Sequence, residues 1–460
     1  MTSTATRPSV PGGPITEPPG PPETGRSGVA GLLDLPVAAV RGVMRSARKS
    51  PGRLTVIGVA LVLLALLTGL VGTFATQGKK DTINDLIDHR EPLTAASQEV
   101  YRSLSDADAT SANAFLVIGT ESPELRDRYD LDIARAGTAL AKAASDSDGV
   151  ADASAKVEII ASNLPVYTGL IERAQVNNQQ GFPVGASYLR EASNLMQTVI
   201  LRAASDLYQI DTDRLTAEQD EVSGFPWFTA ILVLALLGAL IATQIYLTRR
   251  TNRVLNVGLV VASGAVAVIL LWGAVALTVQ AVLVGNGEDD GSHPVDVLVR
   301  ARSAAVQARA NEMMTLVARG DGAAYEQNFQ KLAPVFTAEL HQARGLLDGD
   351  ASAQIDTAIA GADAWLRTHK DVRALDDGGA YGDAVKKAID PRAGDGAAAE
   401  FTKLDDALVK AIDIGRQNFL DETRGADRAL TLLPPGIAVL AVVAAAGVTI
   451  GVRDRLREYR

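Results

Sequence analysis

Two kinds of apolar pattern alternate along the chain. Four runs, Leu54–Thr76, Pro226–Leu247, Val254–Val284 and Thr431–Val452, are apolar on every face and nearly free of charge. Elsewhere the apolar residues keep to one helical stripe. Each run reaches the ~20 residues a helix needs to cross ~30 Å of hydrocarbon, so membrane spans are expected at 54–76, 226–247, 254–284 and 431–452. Only TRRTNR, residues 248–253, joins the second run to the third, too little to cross back, so these two form a hairpin. Its tip holds Arg249, Arg250 and Arg253. Arg41, Arg45, Arg48, Lys49 and Arg53 precede the first run, and Arg453, Arg455, Arg457 and Arg460 follow the fourth. Basic residues in short flanks stay on the cytoplasmic side. The three clusters agree: both termini inside, with 77–225 and 285–430 outside. The first run lies too far along the chain, and is too long, for a cleaved signal sequence.

The striped regions read as helical bundles. In 77–225 the stripes are Leu93, Val100, Leu104, Ala107 and Ala114; Leu125, Tyr129, Ile133 and Leu140; Val157, Ile160, Leu164, Tyr167 and Ile171; Leu189, Met196, Ile200 and Leu207. In 285–430 they are Val295, Val299, Val306 and Met313; Tyr325, Phe329, Phe336 and Leu340; Ile355, Ile359 and Leu366; Leu404, Leu408, Ile412 and Phe419. Steps of three and four are the seams of a helical bundle. Pro165 is expected to kink the third helix. The fold class is therefore an all-α membrane protein, with four transmembrane helices and two tandem extracytoplasmic antiparallel four-helix bundles. Asn113 over Asn311, and Tyr129 over Tyr325, suggest an internal duplication. Two such units fit an internal pseudo-dimer, with a homodimer of the chain left open.

The remaining segments are short. Residues 1–30 are rich in Pro and Gly and are expected to be disordered. Residues 31–53 form a basic juxtamembrane segment, 248–253 the cytoplasmic loop and 453–460 the cytoplasmic C-terminus. Gly447 and Gly451, four apart in the last span, permit close helix contact, or face lipid.

Composition changes the picture mainly by exclusion. No cysteine is present, which removes thiol catalysis and thiolate zinc sites. A net charge of -10 beside basic cytoplasmic edges concentrates acid outside and argues against nucleic acid as a partner. The histidines His89, His293, His341 and His369 are dispersed, with no metal-ligand spacing; His369 reads as a capped or partly exposed bundle histidine. No catalytic constellation, metal or cofactor site is expected, and the chain reads as a non-enzyme. The span centres lack ionisable groups, which counts against transport. Two sets of candidate residues remain. Arg102, Arg302 and Arg309, with Arg300, lie on the first helix of each bundle, where guanidinium groups can clamp a ligand carboxylate. Glu121, Asn177, Asn178 and Phe182, at the tip away from the membrane, form a candidate partner surface.

The outer regions resemble the four-helix sensory domains of chemoreceptors and sensor kinases. The whole plan resembles the GlnX-type membrane proteins of actinobacteria: a Pro-rich start, the span Leu54–Thr76, two bundles flanking the TRRTNR hairpin, and a short basic end after Val452. That resemblance is architectural and carries no individual residues. It implies a transducer relaying amino-acid availability from a solute-binding surface lipoprotein (GlnH-like) to a cytosolic serine/threonine kinase (PknG-like). Direct ligand binding in the bundles, and a scaffold role in envelope assembly or secretion, are the alternatives.

Overall fold

The computed structural model describes residues 50–117, 123–145, 150–251, 256–390 and 396–457. The expected disordered tail, nearly all of the basic juxtamembrane segment, Glu121 and much of the hairpin tip lie outside these residues. Among the described residues the chain is helical throughout, with no strand.

The helices are α1 (Ser50–Asp85), α2 (Glu91–Leu116), α3 (Pro123–Ser145), α4 (Ala151–Gln179), α5 (Val184–Leu195), α6 (Leu201–Ser223) and α7 (Trp227–Thr251) in the first half. The second half has α8 (Val257–Gly287), α9 (His293–Val317), α10 (Ala323–Leu346), α11 (Gly349–Asp377), α12 (Tyr381–Ile389), α13 (Ala397–Leu430) and α14 (Leu433–Arg457). Four stretches are long and apolar enough to cross a membrane. They lie in α1, α7, α8 and α14, as the hydropathy pattern requires.

Both halves leave the spans in the same way. One turn of π-helix, Leu86–Arg90 or Glu288–Ser292, joins α1 to α2 and α8 to α9. Each is followed by a proline, Pro92 or Pro294, in the first turn of the next helix. A proline has no N–H to give and its ring crowds the carbonyl four residues back, so a widened turn lets the helix continue past it. Counted from these prolines, Asn113 and Asn311 fall about one helical turn out of register. Pro165 lies inside α4 and Pro334 inside α10, and neither interrupts its helix.

In the membrane layer α14 packs along both α1 and α8, while α7 touches α1 and α8. The spans thus share one layer instead of forming two independent pairs. Close approach of α8 and α14 rests on glycine. A Cβ on Gly447 would lie 2.7 Å from the Gly258 carbonyl oxygen, and one on Gly258 would lie 2.8 Å from the Gly451 Cα. Gly447 and Gly451 therefore face a helix and not lipid. The polar residues of this layer cross-link it: Gln244 donates to Ser263 at 3.1 Å, and Asn256 donates to the Gly451 carbonyl at 2.8 Å.

Outside this layer, α2–α6 form one bundle and α9–α13 the other. Their cores meet. Met313, Met314, Leu316 and Val317 of α9, with Val385 and Ala388 of α12, belong to the same apolar cluster as Leu104, Tyr167 and Met196. Helix α9 is buried along almost its whole length. Its alanines (301, 304, 305 and 308) let α2 come close on one side and its own bundle on the other. A helix apolar or small on all faces belongs in an interior.

Candidate functional site

Helices α2 and α9 run side by side away from the spans, and the contact between them is polar where the flanks are apolar. Arg302, 5% exposed, sits at its centre. Its Nη2 donates to both oxygens of Asp106 on α2, at 3.1 and 3.2 Å, and to Asp405 on α13 at 3.0 Å. Burial works against the guanidinium charge, but Asp106 and Asp405 outweigh it and hold Arg302 charged above its ordinary value. Asp106 is shared with Arg102, which also pairs with Glu99. Gln307 of α9 donates to the Tyr101 hydroxyl of α2. Nearer the membrane the halves are joined again: Arg416 to Glu91 at 2.9 Å, Tyr208 to Asp296 at 3.3 Å, and Gln219 to Ser292 at 3.4 Å.

Each side of this seam carries a buried acid, differently compensated. In the first bundle Asp108 on α2 is 2% exposed. It accepts from Ser193 at 2.9 Å, Gln197 at 3.4 Å and the Tyr167 hydroxyl at 3.4 Å, all neutral donors. Burial without a cation pushes its pKa up to about 6, although these hydrogen bonds pull the other way. Two further polar atoms of this bundle, the Tyr129 hydroxyl and Asn113 Oδ1, are buried without a hydrogen bond.

In the second bundle Glu312 on α9 is 1% exposed but richly paired. Arg309 bonds it from one turn before, Trp365 Nε1 donates to it at 3.0 Å and His369 Nδ1 lies 2.8 Å away. Burial opposes its charge, yet Arg309, His369 and Trp365 together bring it down to about 2. His369 is stacked on Phe329, with centroids 3.6 Å apart, and its Nε2 lies 3.2 Å from Glu326. Burial disfavours the imidazolium, but the two glutamates raise it to about 9. His369 is thus neither a cap nor partly exposed. It is an interior cation, because two carboxylates from α9 and α10 converge on it.

The arginines expected to clamp a ligand are already spent within the chain. Arg102 is held by Glu99 and Asp106, and Arg302 by Asp106 and Asp405. Arg309 is held by Glu312 and the Ala388 carbonyl, the latter at 2.8 Å. Arg302 and Arg309 join helices, whereas both acids of Arg102 lie on its own helix α2. At the tip, Asn178 donates to the Phe115 carbonyl at 3.0 Å and Asn177 to the Arg173 carbonyl at 2.7 Å, so both amides close the ends of helices. Phe182 is 53% exposed and does not tuck over the bundle end.

Asp106, Asp108, Glu312 and the short helix α12 escaped the sequence reading. The available signal was a set of charged residues at core positions of α2 and α9, which a hydrophobic stripe passes over.

Residues 82–220 match the family model of an actinobacterial sensor domain. The match runs from the end of α1 through α6, and so takes in Asp106 and Asp108. It is a match to a sensory domain, in a chain with four helices fit to span a membrane. No curated protein and no solved structure matches the chain.

Proposed function

We propose that the protein is a non-enzymatic transmembrane signal transducer, with both bundles outside the cell and both termini inside. An amino-acid signal reaches the bundles from a solute-binding lipoprotein and shifts α2 against α9. The shift passes through α1 and α8 to the basic segment 31–53, and from there to a cytosolic serine/threonine kinase. One observation carries this reading. The helix holding Arg302 continues through a single π turn into a span, so that Val257–Val317 is one 61-residue rod, and Gly52–Leu116 is its 65-residue counterpart. Rods that share a charged seam at one end and enter the same layer of spans at the other, with α14 packed along both, suit the transmission of a displacement. The first bundle's match to a sensory domain supplies the sensory half of the argument.

A signal of this kind requires different affinity for two arrangements of the seam. Purification of the full chain in mild detergent, with and without free amino acid, tests it. A lipoprotein and a kinase are expected to co-purify, the lipoprotein in an amino-acid-dependent manner. Loss of that dependence refutes the relay. A reporter fused after Asp350 is expected outside, and an inside location removes the physical route altogether.

A further inference from the structure

The turn between α9 and α10 contains a residue that backbone energetics disfavours there. Arg319 has φ 42, a left-handed conformation that glycine adopts freely, and Gly320 follows at φ 99. A non-glycine residue held in this region is strained, and such residues cluster at functional sites. The Arg319 guanidinium lies over the Tyr381 ring, 4.9 Å from its centroid. Among the described residues no carboxylate pairs with it.

Arg319 and Tyr381 form one wall of a cleft of about 790 Å³ at the end of the second bundle away from the membrane. Its lining also includes Glu326, Arg373, Asp376 and Asp377. Arg373 is consumed by Asp376 at 2.6 Å and by Asp377. Behind them the buried chain runs Glu326, His369, Glu312, Arg309. Across the whole group, three cations (Arg309, His369, Arg373) face four carboxylates (Glu312, Glu326, Asp376, Asp377). One negative charge is left over in this group, and Glu326 Oε2, buried without a hydrogen bond, has His369 Nε2 at 3.2 Å and Arg373 Nε at 3.6 Å beside it. The same cleft holds Arg319, a guanidinium with no acid among the described residues.

An anion alone would meet the surplus of carboxylates, and a cation alone would leave Arg319 unanswered. We propose that this cleft binds a small zwitterion, its carboxylate on Arg319 and its ammonium towards Glu326. Planar guanidinium groups recognise carboxylates through paired hydrogen bonds, and stacking on Tyr381 holds the group in place for that contact. The site goes beyond the lipoprotein relay, because it places recognition in the chain itself. It also has a route inward: Glu326 is the outer end of the buried charges that reach Glu312 on α9, one of the two seam helices.

Isothermal titration of the full chain in lipid nanodiscs, with each free amino acid in turn, tests the proposal. At least one should bind at millimolar concentration or tighter. Its amide, which lacks the carboxylate, and its N-acetyl form, which lacks the ammonium, should each bind at least tenfold more weakly. Arg319→Gly should weaken binding at least tenfold while unfolding at the same or a higher temperature, since glycine relieves the left-handed strain. The site is refuted if no amino acid binds the wild-type chain, if either analogue binds as tightly as its parent, or if Arg319→Gly binds unchanged. A silent titration would leave the relay standing, because that reading rests on co-purification.

Discussion

Replacing Asp108 with asparagine should stabilise the first bundle at neutral pH and leave it nearly unchanged in acid. The carboxyl group meets the Tyr167 hydroxyl of α4, Ser193 of α5 and Gln197 in the π turn Met196–Ile200 that follows, with Tyr129 of α3 nearby and no cation among them. Burial raises it from 3.8 to about 6. Between those values the folded chain keeps a proton that the unfolded chain has released. The favourable contribution is therefore complete below the unfolded value, and it is lost as pH rises through about 6. A shift of this size at ~1.4 kcal/mol per unit is about 3 kcal/mol at pH 7.5. Asparagine is neutral at every pH, accepts the Ser193 hydrogen bond and avoids that loss. Hydrogen exchange in the full chain reads the change locally. Amides of α2 around Asp108 and of α5 should exchange roughly 100-fold more slowly in Asp108→Asn at pH 7.5, the gap closing towards pH 4. If the variant exchanges as fast as wild type at pH 7.5, or if the difference persists at pH 4, the carboxylate is not the strained group and the reasoning fails.

Two other outcomes follow from the packing. Arg302→Met strands Asp106 and Asp405 in the interior and should cost about 3–5 kcal/mol in thermal unfolding followed by circular dichroism. Adding Asp106→Asn and Asp405→Asn should recover most of that loss, and a triple variant no better than the single one would disprove the ion triad. Gly447→Leu forces a side chain against the Gly258 carbonyl and should lower resistance to denaturing detergent by about 1–3 kcal/mol, whereas Gly264→Leu, with open space at its Cβ, should not.

The spans and the helical stripes were legible because they depend on neighbours three and four residues away. The same local logic finds the arginines but not the acids beside them. The partners of Arg302 are not legible from its neighbours, because Asp106 lies 196 residues away. His369 read as a marginal histidine because its two glutamates come from α9 and α10, 57 and 43 residues away. Helix α12 is too short for its stripe to stand out, and its value lies in the Ala388 carbonyl that receives Arg309.

By itself, then, the sequence determined what a chain of this hydropathy must do: four helices for lipid, and amphipathic helices that need partners. Helix period and span length are properties of contiguous residues, and hydrocarbon thickness does not depend on what else the chain does. Tertiary structure alone decided how the halves meet. It buried α9 between two bundles and gave Arg302 two acids, while among the described residues it left Asp108 without a cation and Arg319 without an acid. Burial and charge compensation depend on which distant helices come together, and no stretch of sequence carries that information within itself.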